Sequence, residues 1–219
     1  MESLTDLISN RVAYKLVKDG NKSSEEYQVL KYGIFVFIHM CLAAIFTFIF
    51  GLITNTVFEI LIISLIGALM KRCSGGVHSS SPNRCLVTGI LVSYVFVLIG
   101  KLMIGMNVGN LYIINILILI HSFIIIYTKC PVPSENKPLK KEQTRKKLRK
   151  NAFRIYLVCV FIFILNIIFN NFDIVFKFID FNLLTLYIIL GLYMQTLSLT
   201  SIGSKIILLI DKLLIIIKI

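Results

Sequence analysis

The chain is predicted to be all-α: a polytopic integral membrane protein with about six transmembrane helices and interfacial helices at both ends. Three observations carry that expectation. Hydrophobic residues make up 57% of the 219, with a mean hydropathy of +0.87, above the roughly 45–50% apolar content of a soluble domain. The apolar residues fall into long runs, most of them near the roughly 20 residues that cross a bilayer. The basic residues gather at the ends of those runs and in one loop, the placement that orients membrane proteins.

Six spans use about 120 residues, so residues 1–219 are expected to form a single membrane-embedded domain with no separate soluble one. The net charge of +12 is accounted for by orientation and by attraction to an anionic lipid bilayer, so nucleic acid is not an expected partner. The first 33 residues carry five basic and five acidic side chains, and the first long apolar run starts only at Ile34; no cleavable signal is expected there. Five cysteines are an odd count, and Cys41 and Cys159 lie inside apolar runs, which argues against a disulfide framework.

Residues 1–32 read as an amphipathic arm, with Arg11, Lys15, Lys18 and Lys22 along one stripe and Leu4, Ile8, Val12 and Leu16 along another. Such an arm suits the membrane surface. Ile34 to Met70 is 37 residues with one charge, Glu59, and a polar interruption at Thr54, Asn55 and Thr56. At 1.5 Å per residue that is roughly 55 Å, which fits two spans folded as a hairpin. The second, Val57 to Met70, is short. Leu86 to Met103 and Leu111 to Thr128 form the next pair, turned by Gly105 to Asn110.

Residues 129–151 form a proline-containing basic loop, with Pro131, Pro133 and Pro138 ahead of a run from Lys140 to Lys150; between Lys129 and Lys150 there are nine basic and two acidic residues. Ala152 to Phe169 and Leu183 to Ile202 make the last pair, joined by a polar-aromatic loop from Asn170 to Asn182. The tail, residues 206–219, is too short to span and reads as an interfacial helix with Lys205, Asp211, Lys212 and Lys218 toward one side. With the amino terminus in the cytosol, the outer side keeps essentially Lys101 and Lys177. That asymmetry predicts a multi-pass cell-membrane protein whose central loop faces the cytosol.

The central loop, residues 71–85, reads Lys-Arg-Cys-Ser-Gly-Gly-Val-His-Ser-Ser-Ser-Pro-Asn-Arg-Cys and gathers two of five cysteines and one of three histidines. In continuous helix His78 and Cys85 would sit about 10.5 Å apart. Gly75, Gly76, the serine triplet and Pro82 break that helix and let the imidazole turn back over the thiol. Ser81 and Pro82 read as N-cap and first residue of the next helix. Cys85 would then lie in a first turn, where the helix dipole, nearby Arg84 and spare backbone amides suit a cysteine nucleophile and a developing oxyanion. His78 would serve as base and later as proton donor.

The pattern basic-basic-x-small-Gly-Gly-x-His, followed seven residues later by cysteine and set between hydrophobic spans, resembles the accessory gene regulator B (AgrB) family of membrane cysteine endopeptidases. The likeness extends to chain length, the multi-span layout and the loop from Cys130-Pro131-Val132-Pro133 to Lys150. It implies His78 and Cys85 as the catalytic pair, with the family's glycine pair on Gly75 and Gly76; Arg72 and Arg84 are further expected as supporting residues, and no cofactor is expected. It also implies an AgrD-like pheromone precursor as substrate, cleaved near its carboxy end through a Cys85 thioester and closed into a thiolactone or lactone for quorum sensing, and a homodimer as assembly. Lys71 departs from the pattern, standing where arginine is usual, and lysine does not reproduce a bidentate contact.

Two rivals remain at this stage. Cys73, His78, Cys85 and Cys130 could ligate zinc, although their spacings match no common knuckle. A multi-span peptide transporter or exporter is the other; against it stand the lack of an internal repeat, the lack of a nucleotide-binding loop and the few polar residues within spans. His39 and His121 read as packed or interfacial. Asn166, Gln195, Ser198 and Thr200 read as helix–helix hydrogen-bonding residues, any one of which could orient His78.

Overall fold

Among the described residues eight helices follow one another: α1 (Leu4–Lys18), α2 (Ser24–Thr54), α3 (Val57–Ser74), α4 (Pro82–Met103), α5 (Val108–Lys129), α6 (Glu142–Asn171), α7 (Phe181–Ser198) and α8 (Ser201–Ile216). They come from a computed structural model that describes residues 4–18, 24–133, 139, 141–172 and 180–217. Pro138, Lys140, Lys177, Lys218 and Lys22 lie outside the described residues. Among the described residues there is no strand, only an isolated bridge between Gly75 and Val132, so the all-α expectation holds.

Five helices, α2, α4, α5, α6 and α7, are long and apolar enough to cross a membrane, and the chain is a multi-pass membrane protein. The sixth expected span, α3, has 18 residues that include Glu59, Lys71 and Arg72, roughly 27 Å of helix. Their outer surfaces stay apolar: Leu102, Leu117 and Phe161 are among many large hydrophobic side chains left exposed. That is the pattern of faces turned to lipid rather than water.

The chain divides into two compact units, Met1–Ile49 and Phe50–Ile219. In the first, Tyr27 donates to the Asn10 side chain, and Phe35 stacks on His39 with centroids 5.9 Å apart. Of the arm expected over residues 1–32, residues 4–18 form α1, and residues 24–32 are the first turns of α2, where Glu25 and Glu26 suit a helix start.

In the second unit α7 is the axis. Thr185 through Leu192 are all buried, and α3, α4, α5, α6 and α8 all pack on it, α3 most extensively. Gly191 lets two backbones touch: a Cβ there would lie 2.9 Å from the Ile63 carbonyl oxygen of α3. Without a hydrophobic force between helices in lipid, such close approach and interhelical hydrogen bonds do the holding. Asn166, Asn170 and Asn182 join α6 to the start of α7, and Ser122 meets Thr196 at 3.2 Å across α5 and α7.

Four boundaries move from their expected places. α3 continues through Lys71 and Arg72 to Ser74, because basic residues suit a helix C-terminus; the irregular part of the central loop shrinks to Gly75–Ser81. The basic run expected in the loop of residues 129–151 is helical from Glu142, with a Glu142–Lys146 ion pair at 2.8 Å on its exposed face. The last span stops at Ser198 rather than Ile202. Thr200, whose hydroxyl accepts from the Gly203 amide at 3.1 Å, starts α8 at Ser201 instead of residue 206. The break between the first two apolar helices is where the sequence puts it: α2 ends at Thr54, α3 starts at Val57, and Asn55 takes φ 52, a left-handed value asparagine tolerates.

Candidate active site

Each end of the Gly75–Ser81 segment is fixed by a different device. At the first end Gly75 caps α3, its amide donating to the Lys71 carbonyl, with φ 72 and ψ −143. Gly76 follows at φ 113. Positive φ at two successive residues is open to glycine and costly for anything else. Space gives a second reason at Gly75, where a Cβ would lie 2.1 Å from the Val132 carbonyl oxygen.

Val132 runs beside this corner and pairs with Gly75 in an isolated parallel bridge. Val132 donates to the Ser74 carbonyl at 2.8 Å, and Gly76 donates to the Val132 carbonyl at 3.4 Å. From α7, the Gln195 amide donates to the Ser74 hydroxyl and to the Gly75 carbonyl, both at 3.1 Å. Ser198 donates to the Gln195 carbonyl. These polar residues of α7 therefore set the loop's backbone. Asn166 is engaged with Asn182 and Thr200 with α8.

At the second end Ser81 is the N-cap of α4 and Pro82 its first residue, as read from sequence. The Ser81 hydroxyl accepts from the Arg84 amide at 3.2 Å, and its carbonyl accepts from the Cys85 amide at 2.9 Å. The spare amides expected for an oxyanion are thus largely engaged: Pro82 has none, and those of Arg84 and Cys85 already bond to Ser81.

Between these ends the chain doubles back, and His78 Nδ1 comes to 3.9 Å from Cys85 Sγ. His78 is exposed and Cys85 half-buried. A nucleophile–base contact in an unliganded site is commonly looser than the roughly 2.6–3.2 Å of a working hydrogen bond. Nearby, Ser79 meets the buried Thr88 hydroxyl at 3.3 Å.

Of the supporting residues, Gly75 and Gly76 form the corner itself. Arg84 adjoins Cys85 in sequence, but its guanidinium turns to Asp211 of α8, Nε to Oδ1 at 3.2 Å. Arg72 is exposed on the last turn of α3 and lines a cleft of about 330 Å³ with Leu69, Cys73, Asn151, Arg154 and Ile155; neither His78 nor Cys85 lines it. Asp211, expected on the polar side of the tail, is instead buried. The Ser80 hydroxyl and amide, together with Arg84, hold its carboxyl below its ordinary value.

The zinc reading needed Cys73, His78, Cys85 and Cys130 together. Among the described residues no three His, Cys, Asp or Glu side chains gather to hold a metal. Cys73 and Cys130 are buried and neither is in a disulfide, and burial pushes the Cys130 thiol up to about 11 against the opposing pull of Arg149. His121 bonds the Tyr193 hydroxyl at 3.0 Å between α5 and α7, a packing role.

Residues 9–199 match the family described as accessory gene regulator B, AgrB. Over 213 residues, 96% of each chain, the sequence is 32% identical to a protein of Clostridium perfringens strain SM101 named as AgrB-like. A second AgrB-like protein, from strain 13 of the same species, is 30% identical over 215 residues, again 96% of each chain. No solved structure matches. The chain therefore belongs to the accessory gene regulator B family, which ties it to the processing of agr quorum-sensing peptides with an AgrD-type precursor.

Proposed function

We propose that this chain is a cysteine endopeptidase of the cell membrane that cleaves an AgrD-like precursor near its carboxy end and passes the acyl group through Cys85 to a ring. The observation that carries the reading is the 3.9 Å approach of His78 Nδ1 to Cys85 Sγ across a glycine corner. An imidazole beside a thiol at the start of a helix is the arrangement that nucleophilic catalysis by cysteine uses.

The steps balance with these two residues. His78 takes the Cys85 proton as the sulfur attacks the scissile carbonyl; collapse of the tetrahedral intermediate expels the carboxy-terminal fragment as an amine, which leaves with that proton. The amino-terminal fragment is now a Cys85 thioester. A cysteine thiol or serine hydroxyl within it attacks the thioester carbonyl, His78 accepts its proton, and Cys85 departs as thiolate and is reprotonated. Capture from within the same chain has a high effective molarity and so outruns water.

The distribution of Lys and Arg supports a site on the cytosolic face, where the basic first turns of α6 also draw anionic lipid or an acidic peptide tail. The test mixes purified protein in liposomes with a candidate precursor and follows the products by mass spectrometry. A covalent adduct on the Cys85 peptide, and cleavage falling to background in Cys85→Ala and His78→Ala proteins that insert normally, are expected. Unchanged cleavage by Cys85→Ala protein rules the mechanism out.

A further inference from the structure

We propose that Asp211 of α8 is a positioning residue for the His78–Cys85 pair, stapling the two flanks of the pair together. This rests on the catalytic reading above and extends it to a helix beyond residue 199, where the family match ends.

One carboxylate reaches both flanks. Its Oδ2 accepts from the Ser80 amide at 3.1 Å and from the Ser80 hydroxyl at 2.7 Å. Its Oδ1 accepts from Arg84 Nε at 3.2 Å, and the Arg84 guanidinium closes the circuit by donating to the Ser80 hydroxyl at 2.8 Å. Ser80 lies two residues after His78, and Arg84 lies one residue before Cys85. The staple therefore fixes the separation of imidazole and sulfur although it touches neither.

Its surroundings make the arrangement specific. Asp211 is only 5% exposed, and an ionised carboxylate so placed is held only where donors and a countercharge meet it. Its neighbours at three and four residues on α8 are Ile207, Leu208, Leu214 and Ile215, which offer no partner. The groups that satisfy it come from the loop and from α4, so α8 is aligned by the site, and the site by α8.

The experiment measures, residue by residue, alkylation by iodoacetamide at neutral pH of the full chain in liposomes, with peptide mapping. The variants are Asp211→Ala, Asp211→Asn, Asp211→Glu, His78→Ala and the double variant His78→Ala/Asp211→Ala. Expected is a Cys85 rate at least fivefold lower in His78→Ala and in Asp211→Ala, with the double variant no slower than His78→Ala. Asp211→Glu should recover most of the rate, and Asp211→Asn, which keeps an acceptor but loses the charge, should fall between.

Non-additivity marks an effect transmitted through His78, whereas a purely structural role would add to it. The buried thiols Cys73 and Cys130 report folding in the same measurement. If they become labelled in Asp211→Ala, the comparison of Asp211→Asn with Asp211→Glu decides instead. A Cys85 rate in Asp211→Ala within twofold of the parent, or a double variant much slower than His78→Ala, overturns the staple while leaving the pair intact. A His78→Ala rate equal to the parent's overturns the pair itself.

Discussion

The two flanks of the central loop are held by different kinds of force. The glycine flank, Ser74 to Gly76, is fixed by backbone: a cap on α3, a bridge to Val132, and a buried amide from Gln195. The serine flank, Ser79 to Cys85, is fixed by side chains, namely the Ser81 cap and the Asp211 circuit. The first leaves no room for a side chain and has one solution. The second depends on hydroxyl and carboxylate rotamers, which can adjust by fractions of an ångström. The imidazole and the thiol thus hang from a rigid post of backbone on one side and an adjustable one of side chains on the other.

The largest effect is expected where the rigid post is broken. Gly75→Ala places a methyl 2.1 Å from the Val132 oxygen at φ 72, which combines backbone strain of about 1–3 kcal/mol with loss of the bridge. Cleavage should disappear, and the thermal midpoint should fall by several degrees. Gly89→Ala, one turn beyond Cys85 with nothing within 4 Å of the new methyl, should keep cleavage within about twofold and be neutral or stabilising, since alanine favours helix by roughly 0.5–1 kcal/mol. Equal damage from both substitutions would show that the corner is not special.

Next in size is Gln195→Ala, which leaves the Gly75 carbonyl and the Ser74 hydroxyl short of a partner in a buried setting. A cost of about 1–3 kcal/mol is expected, read as a lowered midpoint in thermal unfolding of the liposome-reconstituted protein, with cleavage reduced in proportion. Ser81→Ala on the other flank should cost about 1 kcal/mol, the usual value of an N-cap, and Ser81→Asp should restore it. A Ser81→Ala effect that exceeded that of Gln195→Ala would reverse the ranking of the two flanks.

The thiols give a smaller but cleaner contrast. With its thiol pushed up to about 11, Cys130 is ionised to roughly one part in a thousand at pH 8 and is buried besides. Alkylation at pH 8 should mark Cys85 long before Cys130. Raising the pH should favour Cys130 only as it approaches 11, and labelling of Cys130 at the same rate as Cys85 would contradict the burial that sets it apart.

Much of this was legible in the sequence for local reasons. Hydrophobic runs gave the membrane class, Thr54 to Thr56 gave the break between α2 and α3, and Ser81-Pro82 gave the start of α4, since caps and breakers act over a few residues. The turn that brings His78 to 3.9 Å from Cys85 begins at the glycines, as their break in the helix suggested. What could not be read was long-range pairing: Val132 and Gln195 reach the corner from 57 and 120 residues away. Asp211 did leave a trace. It is the sole acid of the tail and is ringed at helical spacing by Ile207, Leu208, Leu214 and Ile215, so it belongs to the apolar face and needs a partner from elsewhere. Grouping it with Lys205 and Lys212 as a polar side missed that. The helical basic run from Glu142 was missed for the opposite reason: prolines nearby suggested loop, whereas the run itself contains no breaker.

The smallest expected effect concerns acid. In the folded chain Asp211 is held below its ordinary value of 3.8, first by the Ser80 hydroxyl and then by the Ser80 amide and Arg84, against the desolvation that opposes them. A carboxyl lowered on folding contributes stability that is fully present above its unfolded value and is lost as pH falls through the folded one. The charged groups around it are Arg84, facing it from α4, and, on α8 itself, exposed Lys205 and Lys212. The difference in thermal midpoint between the parent and Asp211→Asn should therefore be flat from about pH 5 to 8 and close as the pH drops below 3.8. A difference that instead grew or shrank between about pH 6 and 8 would point to a histidine acting through the staple, and the serine flank would then be tuned by His78 as much as His78 is by it.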